Sequence, residues 1–111
     1  MMYIDFSAAD KNYRLRLNTR NVVALEKQIG CNPLAIFSNE DQIPEVTTMV
    51  AVLHASLQQY QHNITLNDAC DIFDAYIADG HTQTDFLPVI FEIYKVSGLI
   101  AADDSEKDEK N

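Results

Sequence analysis

The chain has 111 residues, 47% of them apolar, and carries 17 acids against 8 Lys and Arg for a formal charge of −9. That length fits one domain with one modest core. The acidity argues against gripping a phosphate backbone, which needs clustered cations, and favours solubility or a basic protein partner.

The charge is unevenly spread. Lys11, Arg14, Arg16, Arg20 and Lys27 lie in the first quarter, and no further Lys or Arg occurs before Lys95. The N-terminal part is therefore locally basic and the remainder acidic. That asymmetry suits a solvated surface, head-to-tail association or docking to basic proteins.

Met2 to Phe6 alternates loosely in polarity, Ser7 to Asn12 is turn-like, and Tyr13, Leu15 and Leu17 alternate with Arg14 and Arg16. Strand, turn and strand predict an N-terminal β-hairpin over about residues 2–17, with the arginines outward. A lone hairpin is marginal in water, so it must lie on the helices after it. Asn18 is a good N-cap, flanked by Leu17 and Val22 at the spacing of a hydrophobic staple. Val22, Leu25 and Ile29 form one face of a helix over 19–29. Gly30 ends it, Pro33 forbids an immediate restart, and Leu34, Ile36 and Phe37 return the chain to apolar surroundings.

After a polar loop, Pro44 fits the first turn of a helix over about 44–60. Val46, Met49, Val50, Leu53, Leu57 and Tyr60 make its predicted buried face. Thr65 caps the next helix, 66–79, with Asp68 at the third position of a capping box. Its expected core face is Leu66, Ala69, Cys70, Phe73, Tyr76 and Ile77, with Asp68, Asp71 and Asp74 as the solvated side. The last helix, 85–97, is capped by Thr84 or Asp85. A start at Thr82 would instead make Pro88 a kink. It is apolar on two sides, Phe86, Val89, Ile90 and Ile93 against Leu87, Phe91 and Tyr94, so it is either central or covered by a partner. Gly98 ends it, with Leu99 and Ile100 tucking back.

The fold class expected is mainly α (α+β), a hairpin on about four helices, as one domain over 1–100. Residues 101–111 read as a disordered acidic tail. Cys31 and Cys70 read as reduced core cysteines of an intracellular protein, although spacing alone leaves a disulfide between them open. No signal peptide or membrane-spanning run is evident.

No catalytic constellation stands out. His54 and His62 lack the i, i+4 spacing of a zinc helix, the Asp stripe lacks a calcium loop, and no nucleophile elbow exists. Three glycines are too few for phosphate-cradling loops. Ser56–Leu57 lies mid-helix after Ala55, not at a helix start after Asp, which removes an acyl-carrier reading. No catalytic, metal or cofactor residue is assigned, and no cofactor is expected. A rival small enzyme would have to assemble its site from His54, His81 and carboxylates.

The stretch YRLRLNTRNVVALEKQIGCNPLAIF resembles the start of tail assembly chaperones of long-tailed (siphovirus-type) phages and prophages of Gram-positive bacteria. The similar elements are Arg16–Leu17–Asn18–Thr19–Arg20, Ala24–Leu25–Glu26, Gly30 and Asn32–Pro33–Leu34. The Ile43–Pro44 helix, the Leu66–Ile77 helix and Val96–Ser97–Gly98–Leu99 are also similar, so the resemblance covers about residues 12–100. It implies a non-catalytic factor that binds the hydrophobic tape measure protein, helps recruit the major tail (tube) protein, acts in the host cytoplasm, and is absent from the virion. It also implies that many members come in two lengths through a frameshift near the end of the shorter form. Homo-oligomers are compatible with it; nucleic acid and membrane are not expected partners. The resemblance supplies no binding motif. Amphipathicity alone marks Leu87, Phe91 and Tyr94 as forming or bordering a partner-binding apolar surface. The alternative is an acidic regulator or inhibitor of a basic, nucleic-acid-binding enzyme, with Asp68, Asp71 and Asp74 as its contact.

Overall fold

A two-residue reversal starts the fold. Ala9 and Asp10 both take positive φ, 51° and 66°, which is the twist of a type I′ turn and matches that of the strands it joins. In the computed structural model, which describes residues 2–38 and 43–101, this turn connects β1 (Ile4–Ala8) to β2 (Lys11–Leu15). The strands are antiparallel, with Ile4 opposite Leu15, Phe6 opposite Tyr13 and Ala8 opposite Lys11. The period-two pattern sends Phe6, Ala8 and Leu15 into the core and leaves Asp5 and Arg14 exposed. Arg16 is half-buried rather than fully outside.

The chain enters α1 (Thr19–Ile29) through Asn18, whose Oδ1 accepts from the Asn21 amide at 2.8 Å. Asn21 reciprocates on the Asn18 amide, so two otherwise orphaned donors are satisfied. Leu25 is fully buried, and Val22 and Ile29 pack on the core beside it. Gly30 closes the helix with φ 78°, a conformation that strains side-chain-bearing residues. A 3-10 helix (Pro33–Phe37) comes next, with Asn32 capping the Leu34 amide at 2.9 Å.

Helix α2 (Val46–Leu57) is shorter than the expected 44–60. Pro44 precedes it, and Tyr60 falls in the turn beyond it, edge-on to Tyr3 at 5.3 Å. The one-sided reading of this helix is corrected: Met49 to Leu53 and Ala55 to Leu57 are all buried, and Val46 is exposed. Helix α2 touches α1, α3, β2 and α4, so every flank has a neighbour. The small residues Ala51, Ala55 and Ser56 let those neighbours approach. Ser56, buried, donates its hydroxyl to the Leu53 carbonyl at 2.9 Å and its own carbonyl accepts the Arg16 amide at 3.0 Å.

Helix α3 (Leu66–Ala78) opens on the predicted Thr65–Asp68 capping box. Its core face is Ala69, Ile72, Phe73 and Tyr76. Leu66 and Cys70, expected inside, are exposed. Ala69, Phe73 and Tyr76 are buried as expected, and the face is turned enough that Ile72 rather than Cys70 meets the core. Cys31, just past Gly30, is exposed as well, and both cysteines are free. The expectation that both lie in the core is thus corrected.

Helix α4 (Phe86–Val96) combines the two start points considered for it. Thr82 and Asp85 exchange backbone and side-chain hydrogen bonds at 2.9 and 3.2 Å, forming a box one turn early. The turn there is 3-10-like, with the Phe86 amide donating to Gln83 and the Leu87 amide to Thr84. Pro88 is the third residue of α4, within the first turn, where its missing N–H costs no helical hydrogen bond. Phe86, Ile90, Ile93 and Tyr94 face the core. Gly98 reverses the chain at φ 84°, the Leu99 amide returns to the Tyr94 carbonyl at 2.9 Å, and Leu99 and Ile100 pack back as expected. The result is an α+β fold of a hairpin and four helices. Apart from Ala101, the acidic segment expected as a tail lies outside the described residues.

Candidate functional site

The flank of α4 beside the 3-10 helix carries a connected group of exposed and half-buried apolar side chains. In a 3-10 helix residues three apart eclipse, so Leu34 and Phe37 share a face. On α4, residues four apart share a face, which joins Leu87 to Phe91. The two faces meet: the Phe37 and Phe91 rings stack with centroids 4.3 Å apart and planes at 17°. Phe91 is 43% exposed and Leu34 38% exposed, while Phe37 and Leu87 are half-buried.

Tyr94 lies beneath. Its ring meets Phe37 edge-on at 5.9 Å, it is wholly buried, and its hydroxyl donates to the Pro33 carbonyl at 3.0 Å. Burial first, and the neighbouring Cys31 thiol second, push the phenol pKa up, so it stays a neutral donor. Of the three residues marked from sequence, Phe91 therefore presents surface, Leu87 borders it, and Tyr94 only supports it from below. Tyr94, at 0% exposure, offers no side-chain surface of its own. Phe37 and Leu34 were missed. An apolar turn gives no local sign of which residues meet a helix some fifty positions later.

The other candidates do not converge. His54 is half-buried on α2; His62 and His81 are exposed. His81 stacks on Tyr76 at 4.1 Å, with its Nδ1 3.9 Å from Asp85. Among the described residues no group of three or more His, Cys, Asp or Glu side chains is placed to hold a metal. Two open clefts flank the hairpin. One, about 630 Å³, is lined by Asp5, Asn12, Arg14, Tyr60 and Gln61. The other, about 570 Å³, includes Lys11, Tyr13, His62, Asp68 and Asp71. Neither lining holds a Ser, Thr or Cys nucleophile. On the acidic side of α3, Asp71 and Asp74 are exposed. Asp68 is committed to the cap: the Thr65 backbone amide first, and its hydroxyl second, hold that carboxyl below its usual pKa.

A family model matches residues 5–111, and its description is a family of unknown function, DUF6096. The chain belongs to the DUF6096 family. No curated protein and no solved structure matches it significantly. The match takes in nearly all of the DUF6096 chain, hairpin and four helices together, so the candidate face lies within the region that defines the family. No helix among its described residues is long and apolar enough to cross a membrane.

Proposed function

We propose that this DUF6096 chain is a non-catalytic tail assembly chaperone of a phage or prophage, acting in the host cytoplasm. It binds the tape measure protein through the Phe91 face and helps recruit tail tube subunits around it. The observation that carries this reading is the Phe37–Phe91 stack, with Phe91 43% exposed and Leu34 38% exposed beside it. A stacked aromatic pair is a rigid anchor that costs little side-chain entropy to order on binding. Such an anchor, bordered by Leu87, suits the apolar stripe of a long helical partner. The sequence resemblance over residues 12–100 supplies the partner class.

The test is co-expression with the tape measure protein. Phe91→Asp places a charge at an exposed position and leaves Tyr94 and the core in place, so the circular dichroism spectrum stays near wild type and the thermal midpoint falls only by the loss of the Phe37 stack. Co-purification is then lost. A folded Phe91→Asp protein that still co-purifies at wild-type yield refutes the assignment. The rival reading, an acidic regulator, rests on exposed Asp71 and Asp74. It requires Asp71→Lys with Asp74→Lys to abolish binding to a basic enzyme while Phe91→Asp has no effect.

A further inference from the structure

One edge of the hairpin is sealed and the other is open. On β2 the backbone of Arg14 and Arg16 turns away from β1 and meets partners. Gln61 takes the Arg14 amide and carbonyl, and the Ser56 carbonyl takes the Arg16 amide. In an antiparallel ladder, directly opposed residues point their backbone groups either at each other or both outward. Asp5 stands opposite Arg14 and Ser7 opposite Asn12. The N–H and C=O groups of Asp5 and Ser7 therefore point outward on the far side of β1. That side has no third strand, and both residues are exposed. Neither backbone has a hydrogen-bond partner among the described residues. The opening ends at the turn, where the Ala9 amide donates to Asp79 Oδ2 at 2.9 Å.

Open edges are usually guarded by a lysine, a proline or a bulge. The β1 sequence IDFSA has neither residue, and its pairing runs from Ile4 to Ala8 without a bulge. Charge also favours a second copy as the occupant. The chain carries −9 overall, but over residues 4–15 Asp5 and Asp10 are balanced by Lys11 and Arg14, so two hairpins meet without net repulsion. A two-fold register centred on Phe6 sets Asp5 of each copy against Ser7 of the other. Each such pair exchanges both N–H···O bonds, so the outward groups of both residues are satisfied on both copies together. No like charges then stand directly opposite: each Asp5 lies between its own Arg14 and the Ser7 of the second copy. On the other face Ile4, half-buried in one copy, comes opposite the small Ala8 of the second. The Asp79 contact at Ala9 stops the ladder there, so a longer foreign strand gains no further rung at that end.

We propose that β1 pairs edge to edge with β1 of a second copy of this chain, antiparallel about a two-fold axis at Phe6. Two hairpins then form one continuous four-stranded sheet, and the open edge of each disappears. The inference stands independently of the tape measure reading, since it draws nothing from Phe91 or Leu34.

The test is sedimentation equilibrium of the full-length chain over a range of concentrations, with amide exchange read by NMR. Wild type moves reversibly from the mass of one chain to that of two, and the Asp5 and Ser7 amides gain protection as it does. Ser7→Asp, at an exposed site, sets carboxylates opposite each other in both pairs and raises the dimer dissociation constant roughly tenfold. Adding Asp5→Lys to Ser7→Asp turns each clash into an opposite-charge pair and restores association, which separates lost pairing from lost fold. A chain that stays monomeric up to about 1 mM overturns the proposal. So does a dimer that Ser7→Asp leaves unchanged, or a loss that Asp5→Lys fails to restore. A dimer abolished by Phe91→Asp and not by Ser7→Asp overturns it too, because association then belongs to the apolar face.

Discussion

Gln61 is the single side chain whose removal tests the fold's logic most sharply. Its Oε1 accepts the Arg14 amide at 2.9 Å and its Nε2 donates to the Arg14 carbonyl at 3.0 Å and the Leu57 carbonyl at 2.8 Å. The side-chain amide therefore acts as one more strand rung on the outer edge of β2, next to the rung that Ser56 gives Arg16. Gln61→Ala deletes three hydrogen bonds, each contributing about 0.5–1.5 kcal/mol. The two on Arg14 are exposed, so water replaces part of them, and the expected loss is about 1–2 kcal/mol. At about 4–8 °C per kcal/mol for a domain of roughly this size, the thermal midpoint falls by about 4–16 °C. Amide exchange localises the effect, with Arg14 losing protection and Leu25 on α1 changing only with global stability. Gln61→Glu keeps the acceptor but turns a carboxylate towards two carbonyl oxygens. At pH 7 it destabilises more than Gln61→Ala, and the excess narrows as the pH falls towards about 4 and the carboxyl regains a donor. A Gln61→Ala midpoint within about 1 °C of wild type, with Arg14 protection intact, refutes the rung.

Two further perturbations address buried and capping contacts. Tyr94→Phe removes the hydroxyl that satisfies the Pro33 carbonyl and costs about 1–3 kcal/mol, read by denaturant midpoint at unchanged m-value; no change would mean the bond is not formed. Asp68 has a folded pKa below its unfolded value, so its capping contribution is complete above about pH 4 and fades as pH falls through the folded pKa. The midpoint gap between wild type and Asp68→Asn is therefore wide at pH 6 and closes towards pH 2; a pH-independent gap contradicts the capping role.

Local chemistry was readable in the sequence wherever the partner lies within a few residues. Asn18, Gly30, Asn32 with Pro33, Thr65 with Asp68, and Gly98 all do what their side chains or backbone freedom dictate. Helical phase was harder. On α3 the expected and the observed faces share Ala69, Phe73 and Tyr76, and local spacing admits either Cys70 or Ile72 beside them; only packing against the rest of the fold buries Ile72 and leaves Cys70 exposed. The two-sided pattern of α4 drew attention that belonged to α2, whose mixture of Val, Ala and Ser hides its complete enclosure. The candidate face was half legible: Phe91 and Leu87 belong to a readable stripe, but Phe37 joins them through tertiary contact alone. Gln61 gave no local sign of its strand contacts, since Arg14 lies across the fold and only the Leu57 carbonyl is a near neighbour in sequence.

The two fastenings of α4, Ser97 to Leu17 and Tyr94 to Pro33, bridge sequence separations of 80 and 61 residues. Both depend on the last helix and its cap, so neither forms before Tyr94 and Ser97 have been added. Until then the hairpin exit and the 3-10 helix wait without their final hydrogen bonds, and α2 lacks one of its walls. The last helix and its cap thus act as a latch, joining the hairpin exit and the 3-10 helix through one element.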